Sequence, residues 1–504
     1  MFRIKDRDIL KIFREIPDNT GWDHPTHWMR GGNVQLSRAF AEFAKADPVR
    51  AVRIIEQFEP QQQERAAGYA LDALADDPAN DELVLATLLD LNSRGFAVDE
   101  YRGSAARAVE KIVNRKRPFD EEVIDLIVGW LDLSPDQTDG VQDSRDSQSD
   151  DLKEGSILWG LSGGFALPGG NFTVLSALAS ILLNLREPGR DRYLAILEAH
   201  LDRERNPQLW RALLHRLFNA GRSTPEVVSK FIRRLFATLP EIVATRETAT
   251  FLAYAQRWDD ALVFDLIRDW PRSGNAFLER VYGELVGLVA ITKNGQEWTA
   301  AGDAIVASGV PETRRGLTYA AANTWSDDRF RVDAGRTLVA LLANSDKKLV
   351  AAALDVFRLI DDLPPDQVTT DLLRALAQPN TDLSAAPSHF IVERLQGSLP
   401  YNADLIATIG EKLVAAWRGE LADMRTATVT AAPQLTDLAL TLHRMGGDSR
   451  QAGVALFEAM IEIDAYGSRE TLAEIDGRFG SRGIAARQAL PRRRRGQPRA
   501  RRAG

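Results

Sequence analysis

The sequence predicts an all-α fold, a HEAT/armadillo-like helical-repeat solenoid, and three observations predict it. Apolar residues recur at i, i+3/i+4 and i+7 along most of the chain, which places each set on one face of a helix. Capping side chains stand directly before prolines at Asp47-Pro48, Asp77-Pro78, Asn206-Pro207 and Thr224-Pro225, the pattern of a helix that opens with proline in its first turn. Alternating, strand-like runs of any length are scarce.

The stripes can be read in order. Leu36, Phe40 and Phe43 form one; Val52, Ile55 and Phe58 form the next; Val350, Leu354, Phe357 and Ile360 repeat the pattern far downstream. Breaks recur as well. Ser326-Asp327-Asp328, Ser345-Asp346 and Pro364-Pro365-Asp366 each read as a helix opening, and Asp327, Asp346 and Asp366 are 19 and 20 residues apart. A two-helix unit of 39 residues follows, near the roughly 40–47 residues of HEAT and armadillo units. An amphipathic hairpin of that size cannot bury its apolar stripe alone, and stacking supplies the missing surface. Gly31-Gly32-Asn33 before Leu36-Ser37 is echoed by Gly169-Gly170-Asn171 before Leu175-Ser176; the glycines permit a tight turn and the asparagine is expected to cap the helix amides.

Charge divides the chain further. Residues 134–155 (SPDQTDGVQDSRDSQSDDLKEG) hold six aspartates between Asp136 and Asp151 and little to bury, so they are expected to be an acidic disordered linker. It separates an N-terminal helical block, 1–133, from a helical-repeat array, 156–480. Residues 481–504 are expected to be a disordered basic tail. There Arg492, Arg493, Arg494, Arg495, Arg499, Arg501 and Arg502 place seven arginines and no acid within eleven residues. The whole chain carries a formal charge of −8, so the remainder is about twice as acidic as the total.

The 504 residues, 44% hydrophobic and 27% charged, are enough for roughly three ordinary domains or one long array. Zero cysteines exclude disulfides, thiolate zinc sites and cysteine nucleophiles, and suit a cytoplasmic location. The charged start, Met1 to Asp8, does not read as a secretory signal. The apolar stretch from Phe172 to Leu183 is too short to span a bilayer, so no membrane association is expected.

Catalytic patterns are few. Gly160-Leu161-Ser162-Gly163-Gly164 matches the G-x-S-x-G elbow of serine hydrolases, in which a strand precedes the serine and a helix follows it. Ile157-Leu158-Trp159 would be a very short strand, Pro168-Gly169-Gly170 interrupts a following helix, and His200, His215, His389 and His443 lie downstream. Ser162 is therefore the weakest of three functional readings. The dipeptide Gly-Lys occurs nowhere, which excludes a Walker A phosphate loop. Asp23, His24 and His27 lie between Trp22 and Trp28, but Pro25 breaks a helical H-x-x-H face and no fourth ligand is evident, so no metal or other cofactor is expected.

Gly32 to Phe40, Ala44-Lys45-Ala46-Asp47-Pro48 and Glu64 to Leu71 together resemble the helical part of large bacterial NTPases of the STAND/NACHT-like type. Trp159-Gly160 with Leu167 to Phe172 and Leu175 resembles a turn in the same arrays, and Leu456 to Ile463 with Ala465-Tyr466-Gly467 and Leu472 resembles their C-terminal helices. The resemblance implies a HEAT-like region that senses or binds a trigger in bacterial defence. The NTPase module itself is missing, which implies an NTPase or effector partner encoded separately. The first functional expectation is thus a non-catalytic scaffold or recognition protein that binds a protein partner. The second is nucleic-acid association through the arginine tail, whose guanidinium groups would neutralise phosphates and release counterions. That tail lacks interleaved aromatics, so base-specific stacking is not expected. Arg233-Arg234 and Arg314-Arg315 read as ordinary solvated helix charges.

Overall fold

The computed structural model describes residues 4–20, 22, 31–115, 119–133, 155–160, 168–183, 187–293, 295–343 and 346–476. It is 75% helix, with no strand among the described residues. The all-α expectation therefore holds. The chain divides into two compact units, residues 1–282 and 283–504.

In the first unit, α1 (Asp6–Glu15), α2 (Asn33–Ala46), α3 (Pro48–Ile55), α4 (Glu64–Leu74), α5 (Asp81–Ser93), α6 (Asp99–Val113) and α7 (Glu121–Trp130) precede the acidic stretch. After it come α8 (Asn171–Leu182), α9 (Glu187–Leu201), α10 (Pro207–Leu213), α11 (Leu217–Ser223), α12 (Pro225–Thr238), α13 (Arg246–Ala255), α14 (Asp260–Ile267) and α15 (Ala276–Lys293). Alternate helices form a row in which α2 packs on α4, α4 on α6 and α6 on α8. Residues 134–154 lie outside the described residues, but α6 and α7 before them pack directly on α8 after them. The division into compact units thus falls near residue 282 and not at the acidic stretch.

Local chemistry explains the helix starts. Asp47 accepts a hydrogen bond from the Arg50 amide and Asn206 from the Gln208 amide, each ahead of a proline in the first turn. Asp77 caps a short 3-10 turn, Pro78–Asn80, and not the α-helix that follows. Thr224 does precede the first residue of α12, yet its hydroxyl donates backwards to the Ala220 carbonyl. The two Gly-Asn echoes also differ from expectation. Asn33 and Asn171 are the first residues inside their helices and are buried. Asn33 donates to the Ile16 carbonyl at 2.8 Å and accepts from Ser37 at 2.9 Å, so it ties its helix to the preceding segment. Gly31 (φ +71°) and Gly170 (φ +59°) supply the left-handed turns.

The core follows the apolar stripes. Phe13, Phe40 and Phe58 meet with ring centroids 5.2–5.5 Å apart, and Val52 and Ile55 are buried beside them in the sequence stripe. Leu36 is only half-buried.

In the second unit, α15 is followed by α16 (Gln296–Ser308), α17 (Pro311–Thr324), α18 (Arg331–Leu342), α19 (Lys347–Ala353), α20 (Val356–Leu359), α21 (Gln367–Ala377), α22 (Ser388–Ala416), α23 (Ala431–Met445) and α24 (Gly447–Glu462). Here α17 packs on α18 and α19, α18 on α21, α21 on α22, and α22 on α23 and α24. Asp346 and Asp366 cap α19 and α21 as expected. Asp327 instead holds the Arg329 amide in a turn ahead of α18. The stripe Val350, Leu354, Phe357 and Ile360 is buried, but it spans two short helices broken at Leu354-Asp355. Pro400 and non-helical Asn402 (φ −136°, ψ 32°) kink α22. Buried Asn402 accepts from Thr370 at 2.9 Å and donates to Ser398 at 3.1 Å, so the kink is tied to α21.

Candidate interaction surfaces

The row α2, α4, α6, α8 presents a polar face built from residues one turn apart on each helix. Lys45 on α2 lies 3.0 Å from Asp76, which follows α4, and Lys111 on α6 lies 2.7 Å from the other Asp76 oxygen. Lys111 also lies 2.8 Å from Asp72, and Arg107 reaches Asp72 at 3.0 Å. Each carboxylate is therefore shared by cations from neighbouring elements. Asp76 titrates below the ordinary carboxylate range, first through the hydrogen bond from Lys111 and then through that from Lys45. Reciprocally, the hydrogen bond to Asp76 raises Lys45. Arg38, Glu42 and Tyr69 join these groups around an open cleft of about 370 Å³.

Further along the row, Arg216 contacts Glu110 at 2.6 Å and also donates to Ser176, while Ser180 donates to Glu110 at 2.9 Å. Ser176 and Ser180 are buried, so this junction of α6, α8 and the segment before α11 is fixed, whereas the ladder beside it is half-exposed. Exposed ion pairs contribute about 0–1 kcal/mol each. The ladder accordingly sets helix register more than stability, and its groups are available to a partner at small cost.

Asp18 is the perturbed carboxyl of this unit. It accepts from the Arg65 amide at 3.0 Å, and its other oxygen has no hydrogen-bond partner among the described residues. Burial pushes it up to about 6, against the lowering effect of the Arg65 amide. The native state then binds a proton that the unfolded chain releases near 3.8. This contribution to stability is fully present below the unfolded value and is lost as pH rises through about 6. Asp18→Asn is expected to flatten the stability profile between those two values and to gain about 1–2 kcal/mol at pH 7; parallel urea titrations across that range read it, and an unchanged slope refutes it.

The residues singled out in the sequence are distributed as follows. Arg492, Arg493, Arg494, Arg495, Arg499, Arg501 and Arg502 lie outside the described residues, as do Ser162 and the Asp23, His24, His27 group. Ile157 to Trp159 form a turn, not the strand that a nucleophile elbow requires, and the next described helix opens only at Asn171. Gly160 has its own structural reason. A Cβ there would sit 2.2 Å from the Ser156 carbonyl oxygen, and its carbonyl accepts from Arg246 at 2.8 Å. His200 is buried, with Nε2 3.9 Å from Glu204, and burial lowers His215. Among the described residues no cluster of three metal-ligating side chains occurs, and no helix is long and apolar enough to cross a membrane.

Arg233 and Arg234 pair with Asp265 and Asp202, each at 2.6 Å. Arg314 donates to the Leu341 carbonyl at 3.3 Å, and Arg315 lies 3.8 Å from Glu312 and over the Tyr319 ring. Both arginine pairs thus join structural contacts. The ladder itself was missed in the sequence, although it left a signal. Asp72 and Asp76, then Arg107 and Lys111, are i, i+4 pairs of opposite sign set 35 residues apart.

No known protein-family model matches this chain, and no curated protein matches it as a relative.

Proposed function

We propose that this chain is a non-catalytic helical-repeat scaffold, a HEAT-like solenoid that recognises a protein partner in the cytoplasm. One observation carries the reading: side-chain bonds between helices recur at a nearly constant sequence separation. Arg107–Asp72, Lys111–Asp76 and Arg65–Glu100 span 35 residues, Arg115–Asp81 spans 34, and Arg211–Glu247 and Lys412 to the Leu376 carbonyl span 36. A constant separation is what stacked two-helix units produce, each repeating the placement of the last. The period is shorter than the 39 residues suggested by the aspartate spacing, and it supports the same architecture. Stacked units present extended surfaces suited to binding, and the shared ion pairs of the first unit offer one. The resemblance to STAND/NACHT-like helical regions suggests that the partner is an NTPase or effector, with this chain as the sensor arm of a bacterial defence system.

A second reading is favoured by the seven clustered arginines, which would tether the chain to nucleic acid. One experiment separates the two. The full chain and a chain lacking Pro491–Gly504 serve as bait in native lysate, each with and without nuclease. The scaffold reading expects the same protein to be retained in all four captures. Loss on nuclease treatment and on tail deletion, with steep salt sensitivity, overturns it in favour of the nucleic-acid reading.

A further inference from the structure

In the second unit, α18 and α21 approach closely where Gly335 permits. A Cβ at that position would lie 2.2 Å from Val368 Cγ1 and 2.9 Å from the Trp325 ring. Above this contact the helices leave an open groove of about 960 Å³. Its apolar lining comes from Val332, Val339, Ala340 and Ala343 on and just after α18, and from Val368 and Ala375 on α21. Val332 is 56% exposed, far more than an apolar side chain needs for packing inside its own unit. The α18 positions follow helical spacing over about three turns, so the groove is roughly 16 Å long.

The rim carries a guanidinium from each wall. Arg336 on α18 is paired with Asp333, and Arg374 on α21 with Asp371, both as exposed i, i+3 pairs. Pairs of this kind contribute only about 0.3–0.5 kcal/mol, and each guanidinium keeps further donors for another carboxylate. Of these, Arg336, Arg374 and Asp371 line the groove, giving it a net positive charge on a chain whose total is −8.

These features select among occupants. An extended peptide would find no sheet edge to pair with, because both walls are helices whose backbone groups are already bonded. A helix satisfies its own backbone and can lie close to walls of alanine and valine. The arginine-rich tail of this chain would meet two arginines. We propose that the α18–α21 groove is a docking site for an acidic amphipathic helix of a partner protein, about three turns long. Its apolar face would rest on Val332, Val339, Ala340 and Val368, and its flanking carboxylates would meet Arg336 and Arg374. The inference rests on the scaffold reading and names a surface and a partner chemistry for it.

The test uses the full chain and a fluorescein-labelled four-turn peptide with leucines at i, i+4, i+7 and i+11 and glutamates beside them. A second peptide carries lysines in place of the glutamates. Anisotropy should show saturable binding of the glutamate peptide only. Ala340→Trp, which fills the exposed groove, should weaken it at least about tenfold, and so should the double variant Arg336→Glu/Arg374→Glu. The charge-reversed protein should instead gain the lysine peptide, a rescue that misfolding cannot produce. No binding of the glutamate peptide, equal binding of both peptides, or indifference to Ala340→Trp each overturns the proposal. So does a dimer in sedimentation that Ala340→Trp returns to monomer, because a second copy would then be the occupant. Retention of the lysate partner by Ala340→Trp would overturn this site while leaving the scaffold reading intact; absence of any retained protein partner would count against the scaffold reading itself.

Discussion

Replacing Glu64 with alanine is expected to destabilise the first unit by about 3 kcal/mol or more. Glu64 opens α4 and is almost wholly buried, at 1% exposure. Its carboxylate accepts from three backbone amides, those of Gln61, Ala97 and Val98, each at 2.7 Å. Two of these amides belong to the segment leading into α6, so one side chain fixes both the turn before α4 and the α4–α6 register on which the ion-pair ladder depends. Charge-assisted bonds of this geometry are about twice as strong as neutral ones. Truncation leaves the donors buried without an acceptor, a cost near the full desolvation penalty of each group. Glu64→Gln keeps an acceptor for one side but turns an NH₂ toward the remaining amides, so an intermediate loss of about 1–2 kcal/mol is expected. Hydrogen exchange of the Ala97 and Val98 amides, read with a urea titration, checks both variants. A Glu64→Ala protein within about 0.5 kcal/mol of the parent would show that water replaces the carboxylate without penalty.

Much of the secondary structure was legible because its causes are local. Asp47, Asn206, Asp346 and Asp366 cap helices through amides two or three residues ahead, and the apolar stripes lie in the core they predict. Where a polar group had several local choices, the sequence was ambiguous. Asp327 turned toward Arg329, and the Thr224 hydroxyl turned back to Ala220. Periodicity reported which side of residues 350–360 is buried, but not the break at Leu354-Asp355, because both sides of the break keep the same face inward. The repeat length was misjudged because Asp327 opens a turn and α18 begins only at Arg331. The candidate surfaces were the least legible part. The ladder requires knowing that α4 lies beside α6, and the groove requires knowing how α18 and α21 diverge. The arginine cluster was the loudest signal in the sequence and lies outside the described residues.

Gly283→Ala should destabilise the second unit by about 3 kcal/mol or more, against the helix propensity that would otherwise favour alanine by about 1 kcal/mol. Gly283 sits on α15 against the start of α17. A Cβ there would lie 2.1 Å from the Thr313 carbonyl oxygen and 2.8 Å from the Leu317 amide nitrogen. Both obstacles are backbone, so no rotamer change relieves the contact, and α17 would have to move as a body. One turn on, a Cβ at Gly287 would come within 2.5 Å of the Ala320 methyl, which closes the same crossing from the other side. Moving α17 would also disturb buried Leu317, Ala320 and Ala321 and the packing of α17 on α18 and α19. Gly302, on α16, is the internal control. Its nearest Cβ contacts, Ala290 and Val286, are at 3.8 and 3.9 Å, so Gly302→Ala should be neutral or stabilise by up to about 1 kcal/mol. The same substitution in neighbouring helices thus has opposite expected signs, and only the distance to backbone decides between them. Thermal and urea unfolding of the two variants side by side reads the contrast. If Gly283→Ala also gained stability, α15 and α17 would be separable at no cost, and the close crossing could not be what sets the placement of α17 and, through it, of the α18 wall of the groove.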